Sequence, residues 1–580
     1  MLKLFRNLKP YAGYIAITLA CILTTSILDL YLPDYMSDII GKGVVGKDVG
    51  YIWKIGGSML IISAISMTAS IIGSYCSSIS GMGFGKTVRE KIFTKVENFS
   101  QNEFDKFSTP SLITRTTNDV NQMQMLVMIA QRMMISAPFM FIGGIIMAAK
   151  KDASLLWILL IILPIIVVVA MIMMKVTLPL FKSMQQKIDR INLVLREKLS
   201  GIRVIRAFNK NEYEDGRFEE ANKDLTGTSL KVGKIMALMM PLMMLVMNAT
   251  ALLILWFGGH SIENPADIGN LMAFIQYIIQ IMMSFMMATM MFVMIPRAAV
   301  SAGRINEVLD CEFTVVDQEN TVPLVLDLDG GKDKNIIEFK NVTFTYGGAS
   351  APVIKNINFT AEKGETVAII GSTGSGKSTL VNLIPRFYDV TGGEILFHGV
   401  NIKDLPQKEL RENMGYIPQK AFLFDGTIAN NIREGNENAT DEEIRKALEI
   451  SQAWEFVSQM PEQTESHISQ GATNVSGGQK QRLSIARALA RNVGLYIFDD
   501  TFSALDFKTD ANLRTAIKEN LKDACVLIVA QRVGTIMNAD KIIVLEDGEI
   551  CGIGTHKNLL ESCAVYKEIV ESQLTEEEIA

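Results

Sequence analysis

The sequence predicts an α-helical domain with six membrane spans, followed by an α/β domain of the P-loop type. Three observations predict this arrangement. Long apolar runs recur six times before residue 308, short β-type runs alternate with helical stretches after residue 336, and a glycine-rich loop follows one of these short runs. We expect a transmembrane domain with two long cytoplasmic helical extensions over residues 1–308, a linker over 309–335 and a nucleotide-binding domain over 336–580.

Composition excludes several broad classes of protein. Of the 580 residues, 49% are hydrophobic and only 20% are charged, which disfavours a wholly soluble enzyme and a disordered scaffold. The net charge of -6 provides no basic field, so we expect no nucleic-acid partner. The six cysteines are scattered without a C-x-x-C pair, which argues against a disulfide framework and a structural zinc site. The class of protein that these numbers favour is a membrane protein with a soluble portion.

Six apolar runs approach or exceed the length of about 20 residues that a helix needs to cross a bilayer. A single run could equally be a buried core helix of a soluble protein, but six in succession favour a membrane domain. The runs are Tyr11 to Leu32, Ile55 to Tyr75, Met133 to Ala149, Ala153 to Met174, Ile235 to Gly259 and Leu271 to Pro296.

Basic residues set the expected orientation of these spans in the cell membrane. Lys and Arg concentrate in two long polar stretches, after the second run and after the fourth, whereas the loops near Lys150 and Asn264 are short. The positive-inside rule places both long stretches, the N-terminus and the nucleotide-binding domain in the cytoplasm. Both stretches have a helical pattern, so we expect the spanning helices to continue well beyond the bilayer.

The strongest local signal is a phosphate-binding loop. Residues Gly371 to Thr379 have the G-x-x-x-x-G-K-S spacing, follow the apolar strand Val367 to Ile370 and open a helix. Glycines let backbone N–H groups turn towards a β-phosphate, and the helix N-terminus adds positive potential. Lys377 is expected to reach the β- and γ-phosphates, and Ser378 to ligate Mg²⁺. The residues expected to bind the nucleotide here are Ser372, Thr373, Gly374, Ser375, Gly376, Lys377, Ser378 and Thr379.

A second strand supplies an acidic partner for the metal. The apolar run Leu495 to Phe498 ends at Asp499, and α/β sheets bind their ligands at the carboxyl ends of the strands. We therefore expect Asp499 to reach Mg²⁺ through a water molecule. Together with the phosphate loop, this carboxylate indicates a P-loop nucleotide hydrolase.

The stretch Asn474 to Arg482 lies between these two sites, just ahead of a helical run. It resembles the signature motif of ATP-binding cassette (ABC) transporters. Six spans followed by a cassette on one chain resemble a half-transporter of the exporter type, and the resemblance covers nearly the whole chain. It implies ATP and Mg²⁺ as cofactors, contact with membrane lipid, and a second cassette that closes head to tail with this one around two ATP molecules.

The resemblance also implies roles for single residues. Tyr346 stands where the family stacks an aromatic ring on adenine, although an aromatic residue packed in a core would give the same pattern. Gln419 matches the glutamine that contacts Mg²⁺ and responds to the membrane domain. Four signature residues would approach the γ-phosphate of ATP on the other cassette, namely Ser476, Gly477, Gly478 and Gln479.

Two residues depart from the family pattern. Asp500 follows Asp499, where competent sites have a glutamate that orients and polarises the attacking water. Its side chain is one methylene shorter, so its carboxylate falls short by roughly 1–1.5 Å, and a 1 Å misplacement can cost ~10²-fold in rate. Gln531 stands where the family has a histidine that contacts the γ-phosphate, and an amide carries neither a proton to transfer nor a positive charge.

These departures predict a degenerate ATP site that binds nucleotide but hydrolyses it slowly or not at all. The binding residues and the signature are intact, so we expect an asymmetric heterodimer. In it, the partner half-transporter carries the glutamate and histidine that are missing here, and this chain's signature completes the partner's competent site.

The substrate is the least determined property. The 33 methionines favour a cavity for varied amphipathic or drug-like compounds, although methionine can equally fill gaps between helices. Polar residues within the runs are candidates for contacting a substrate or for bonding between helices: Asp29, Asn248, Gln276 and Gln280. An ATP-driven exporter of amphipathic compounds is the favoured function. A lipid or peptide exporter, and an ATP-gated channel or regulatory subunit, remain as alternatives.

Overall fold

The structure is a computed structural model that describes residues 1–260, 267–318, 320–324 and 334–574. The contacts divide it into two compact units. The helical unit comprises Met1–Lys95 and Pro110–Asp310, and the sheet unit comprises Val96–Thr109 and the described residues from Cys311 onwards. The predicted loop near Asn264 and part of the predicted linker, 325–333 with 319, lie outside the described residues.

Six helices among the described residues are long and apolar enough to cross a membrane, and each contains one of the six predicted runs. They have 43–50 residues, which is about 65–75 Å at 1.5 Å per residue and more than twice the thickness of a bilayer core. The prediction of six helices long and apolar enough to span a bilayer is therefore confirmed for the described residues. That they continue into the cytoplasm stays a prediction. These helices are α1 (Leu2–Val44), α2 (Val49–Glu97), α4 (Thr109–Lys151), α5 (Ala153–Ser200), α7 (Asn211–His260) and α8 (Asp267–Leu309).

Two short helices interrupt this series. They are α3 (Gln101–Phe107) and α6 (Ile202–Ala207). Helix α3 begins with a capping box, in which the backbone N–H of Ser100 donates to the Glu103 carboxylate at 2.6 Å. It is part of the sheet unit, where the Tyr388 hydroxyl donates to Asp105 at 3.2 Å.

The sheet unit contains a six-stranded sheet in the order β12-β11-β3-β10-β9-β6 and a four-stranded antiparallel sheet in the order β2-β1-β4-β5. In the larger sheet only β12 is antiparallel to its neighbour. A two-stranded pair, β7-β8, completes the set. The strands are β1 (Asn335–Phe344), β2 (Ile354–Glu362), β3 (Thr366–Gly371), β4 (Gly392–Phe397), β5 (Val400–Asn401), β6 (Met414–Ile417), β7 (Gly426–Thr427), β8 (His467–Ile468), β9 (Leu495–Asp499), β10 (Cys525–Val529), β11 (Lys541–Glu546) and β12 (Glu549–Gly554).

Helices connect these strands. They are α9 (Lys377–Leu383), α10 (Gln407–Glu412), α11 (Ile428–Arg433), α12 (Asp441–Ile450), α13 (Trp454–Val457), α14 (Gly477–Leu489), α15 (Phe507–Asn520), α16 (Val533–Ile536), α17 (His556–Ser562) and α18 (Ala564–Glu571). Strands β9 and β10 are apolar and buried at nearly every position, because both faces of a parallel sheet are covered. The predicted α/β fold class is confirmed.

One buried cation holds the segment after α9. Arg386 is 2% exposed and donates to the Asp389 carboxylate at 2.8 Å, the Val316 carbonyl at 2.8 Å and the Asp317 carboxylate at 3.2 Å. Its removal would break these three bonds, whereas the acceptors on Val316 and Asp317 are exposed and can bond to water instead.

We therefore expect Arg386→Ala to lower the free energy of unfolding of the sheet unit by about 2 kcal/mol, as for the loss of hydrogen bonds to charged groups. Denaturant titration of the solubilised full chain measures it. Lys408→Ala, which removes an exposed cation beside Glu412, is the control and should leave the transition in place. Equal shifts in the two variants would contradict a special role for Arg386.

Candidate functional site

The predicted site residues converge at one edge of the six-stranded sheet. Strands β3, β10, β9 and β6 lie side by side and are parallel. Their carboxyl ends lead, in that order, to the phosphate loop, Gln531, Asp499 and Gln419. Because carboxyl ends of parallel strands meet at one edge, segments that are distant in sequence face one another there.

The phosphate loop has a backbone that suits glycine. Gly374 and Gly376 have φ angles of 88° and 97°, in the left-handed region that favours glycine. A Cβ on Gly371 would lie 2.0 Å from the Leu545 carbonyl oxygen, so this position has no room for a side chain.

The same loop holds a buried polar group that needs a partner. Ser375 is 1% exposed, and its hydroxyl has no hydrogen-bond partner in the described part of the chain. A buried hydroxyl in that state is costly, and a bound phosphate oxygen would satisfy it. The loop therefore fits the phosphates of a nucleotide, and its remaining predicted members, Ser372 and Thr373, lie at its start.

Lys377 begins α9, and its ammonium turns back onto the loop. Its Nζ donates to the carbonyl oxygens of Gly371 at 2.9 Å and Ser372 at 2.7 Å, and the side chain is largely buried. Burial lowers the pKa of this ammonium, while the carboxylates of Asp500 and Asp499 act in the opposite direction. Since an ammonium has three N–H donors, one of them is left for an incoming phosphate.

Ser378 and Asp499 form the candidate metal site. The Ser378 hydroxyl donates to Asp499 Oδ1 at 2.9 Å. Burial raises the pKa of the Asp499 carboxyl, and the bond from Ser378 partly offsets this shift. Among the described residues no group of three or more His, Cys, Asp and Glu side chains gathers to hold a metal. The hydroxyl and carboxylate therefore fit an ion such as Mg²⁺ that takes most of its ligands from phosphates and water.

Asp500 is held by two amides. Its Oδ2 accepts from Gln531 Nε2 at 2.7 Å and from Gln419 Nε2 at 3.0 Å. The residue is 6% exposed, and its backbone N–H donates to the Val529 carbonyl at 3.0 Å. Both amide donors engage one carboxylate oxygen, and neither can accept a proton from water. The two amides thus hold the carboxylate in one orientation.

Gln573 is a site residue that the sequence did not indicate. Its Nε2 donates to the Gln531 carbonyl at 2.8 Å, and its Oε1 accepts from the Val533 backbone N–H at 2.9 Å. It follows α18, so the C-terminal segment fixes the loop that carries Gln531. Gln573 lies 42 residues after Gln531 and belongs to no motif, so no signal in the sequence marks it as a site residue.

We expect Gln573→Ala to release this loop. The Val533 N–H is buried and would lose its only side-chain acceptor in the described structure, which costs about 1–2 kcal/mol. Hydrogen exchange at Val533 should accelerate roughly tenfold. Gln459→Ala, an exposed glutamine elsewhere in the sheet unit, is the control. Unchanged protection in Gln573→Ala would show that the loop is held by other contacts.

Tyr346 lies next to the phosphate loop in an aromatic group. Its hydroxyl and the Thr379 hydroxyl are 3.0 Å apart, and its ring packs edge-on against Phe344 and Tyr388, with centroids 4.9 and 5.3 Å away. The ring is half-buried. Tyr346 is therefore bonded to the helix that follows the loop and is also packed in an aromatic group, as a core residue would be. Its stacking on adenine stays a prediction.

The signature residues form an exposed helix N-terminus. Ser476 caps α14: its hydroxyl accepts from the Gln479 N–H at 3.3 Å, and its own N–H donates to Gln479 Oε1 at 2.8 Å. Gly477 is exposed, and a Cβ on it would meet no atom within 4 Å, while a Cβ on Gly478 would lie 3.5 Å from the Ala504 carbonyl oxygen. In the described structure no hydrogen bond joins these residues to the phosphate loop, and Ser476 and Gly477 are exposed.

Only two of the four polar candidates in the helical unit meet. Asp29 accepts from the Ser66 hydroxyl at 3.0 Å, and its carbonyl accepts from Gln280 Nε2 at 3.2 Å. Both line a cavity of about 670 Å³ between α1, α2, α4 and α8. Asn248 and Gln276 are exposed and do not line it.

Comparison with known proteins agrees with both halves of the chain. The family described as "ABC transporter transmembrane region" matches residues 15–285, and the family described as "ABC transporter" matches residues 354–503. An uncharacterized ABC transporter ATP-binding protein of Mycobacterium tuberculosis is 40% identical over 578 residues, which are 99% of this chain and 98% of the relative.

Two more distant likenesses extend over nearly the whole chain. An ATP-dependent lipid A-core flippase of Syntrophus aciditrophicus is 29% identical over 589 residues, covering 100% of this chain and 95% of that protein. The structure of a bacterial Atm1-family ABC exporter with ATP bound has a TM-score of 0.78 at 20% identity, covering 97% of this chain and 99% of that chain. At this identity the second likeness bears on the fold alone.

Proposed function

The chain belongs to the ABC transporter family, as a half-transporter with an exporter fold and an ATP-binding domain, and we propose that it is the degenerate half of a heterodimer. ABC exporters are multi-pass membrane proteins that hydrolyse ATP and work as dimers, so a second half-transporter is required in any case. The proposal concerns the identity of that second half and the division of the chemistry between the two.

The state of Asp500 is the single observation that carries the proposal. A carboxylate that polarises water must be able to bring one of its oxygens to that water. Here Gln419 and Gln531 both donate to Oδ2 and so hold the carboxylate in one orientation, on a side chain that is already one methylene short. The second amide occupies the position where the family has histidine, so the site contains neither the long carboxylate nor the imidazole.

The binding parts of the same site support retention of ATP. Lys377, Ser378, Asp499 and Gln419 lie together at the sheet edge, and we assign them to the phosphates and Mg²⁺, with Asp499 acting through water. When bound, Mg²⁺ neutralises part of the phosphate charge. We assign Tyr346 to the adenine, and its contact with Thr379 beside the phosphate loop supports this. In this proposal the site of this chain retains ATP while the partner's competent site goes through repeated rounds of ATP hydrolysis.

The exposed N-terminus of α14 supports the second half of the proposal. Ser476, Gly477, Gly478 and Gln479 form a helix start whose capping box engages the N–H groups of Ser476 and Gln479. Among the described residues no hydrogen bond engages the N–H groups of Gly477 and Gly478, which suits a γ-phosphate held by another chain. We assign this signature to the partner's competent site, and we expect the partner to carry the missing glutamate and histidine.

We further propose that the pair exports amphipathic compounds across the cell membrane, with the N-terminus and the ATP-binding domain in the cytoplasm. The distribution of basic residues supports this orientation, and the polar and methionine-lined cavity supports an amphipathic substrate. A lipid is the second candidate substrate, because the relative named a lipid A-core flippase is similar over the whole chain.

Transport by inside-out vesicles that contain this chain and its partner, sought first in the neighbouring reading frame, tests the proposal. We expect ATP-dependent accumulation of an amphipathic dye. Changing the partner's glutamate to Gln should abolish it, whereas Asp500→Asn should change it less than about twofold because this residue does not perform the chemistry. ATP-gated ion conductance without accumulation would instead identify a channel.

A further inference from the structure

Among the described residues, one cation lines the cavity in the helical unit, and no described residue pairs with it. Arg132 lines the cavity from α4, on a stripe with Met128, Ser136 and Met140 at intervals of four residues. These intervals place the four side chains on one helix face. Within the described residues no hydrogen bond or ion pair reaches the Arg132 guanidinium, which is exposed to the cavity.

The one carboxylate that lines the cavity lies at a different level. Asp29 bonds to Ser66 of α2, whereas Gln131, the residue before Arg132, bonds to Ser80 of α2 at 2.9 Å. Ser66 and Ser80 are fourteen residues apart, which is about 21 Å along a helix. Asp29 therefore does not neutralise Arg132.

Two other walls differ in composition. Helix α2 presents four serines, namely Ser70, Ser74, Ser77 and Ser78, whereas α8 presents Met283 and Met287 beside Gln280 and Ser284. Arg132 lies one residue before the third apolar run. An ionised side chain at such a position is costly unless it contacts water or a counter-ion. A guanidinium offers a planar fork of N–H donors that matches phosphate, sulfate or carboxylate.

We propose that this cavity binds an amphiphilic anion, with its phosphate, sulfate or carboxylate on Arg132 and its apolar part against the methionines of α8. The proposal names the substrate class of the exporter and so rests on the proposed function. The recognition itself requires no ATP, however, and can be measured without it.

The test is equilibrium binding of fluorescent amphiphiles to the purified full chain in neutral detergent, without nucleotide. Three probes of similar apolar size are used: a labelled phosphatidylglycerol, a labelled alkyl sulfonate and a neutral labelled diacylglycerol. We expect the two anions to bind more tightly than the neutral probe. Arg132→Gln should weaken both anions about tenfold or more and leave the neutral probe unchanged, which also shows that the variant is folded.

Lys175→Gln is the matched control, because it removes one cation from α5, which does not line the cavity. It should leave all three affinities unchanged, and Arg132→Lys should retain part of the anion affinity. Binding of phosphatidylglycerol alone would identify a lipid headgroup as the source of the anion, and binding of both anions would support the shared chemistry.

Equal affinity of Arg132→Gln and the parent chain for both anions would overturn the proposal. So would anions that bind no better than the neutral probe. Neither result bears on the heterodimer, since nucleotide is absent from the assay. Conversely, a chain found to hydrolyse ATP by itself would leave this binding result intact.

Discussion

Replacing Asp500 with Glu and Gln531 with His in the same chain is expected to raise ATP turnover at its own site by roughly 10²-fold. The longer side chain returns the carboxylate to the distance at which it can polarise water. The imidazole removes the amide that now donates to Asp500 Oδ2 at 2.7 Å. The phosphate loop and Asp499 are unchanged, so nucleotide affinity should stay within about twofold of the parent.

ATP hydrolysis at this chain's site must be measured apart from ATP hydrolysis at the partner's site. The measurement therefore uses a pair in which the partner's glutamate has been changed to Gln, so that the remaining hydrolysis belongs to this chain's site. Asp500→Glu with Gln531→Asn is the control, because it keeps an amide at the histidine position and should recover much less. If the double variant stays at the background rate, these two residues are not what limits hydrolysis here.

Gly477→Asp should have the opposite and equally large effect on the assembled pair. Its carboxylate would stand at the N-terminus of α14, where we place the partner's γ-phosphate, and like charges repel at that distance. Loss of one such phosphate-binding contact typically lowers kcat by ~10²–10³-fold. The ATPase rate of the pair measures the effect, and ATP affinity at this chain's own loop should not change.

This variant separates function from folding. A Cβ on Gly477 meets no atom within 4 Å, and the helix dipole stabilises a carboxylate in the first turn of a helix. The substitution should therefore not impair folding. Gly494→Asp, at another glycine with open space around it, is the matched control and should leave the rate unchanged. Normal turnover by the Gly477→Asp pair would show that this signature does not serve the competent site.

The sequence was sufficient for features that depend on local pattern. Six apolar runs, the glycine-rich loop and the β-type run that ends at Asp499 each follow from spacing and residue type, and the structure has a helix or strand at each. The sequence also identified Asp500 and Gln531 as departures. The hydrogen bond from Gln531 to Asp500 could not be predicted from the sequence, because it depends on β10 lying beside β9 in the sheet.

Residues that act through tertiary contact were missed or misjudged for the same reason. Gln573 reaches the loop of Gln531 from the C-terminal segment, and nothing in its neighbourhood marks it. Arg132 lies just outside an apolar run, so a search for polar residues within the runs passed over it. That search gave equal weight to Asn248 and Gln280, which only the helix packing separates.

The ATPase rate of this chain purified alone, compared with that of the chain assembled with its partner, tests the division of labour most directly. We expect the isolated chain to bind ATP through Lys377 yet turn it over at least ~10²-fold more slowly than the pair. Lys377→Ala should abolish the binding and confirm its location. Rapid hydrolysis by two identical copies of this chain, at a rate comparable to that of the pair, would contradict the assignment of a degenerate site.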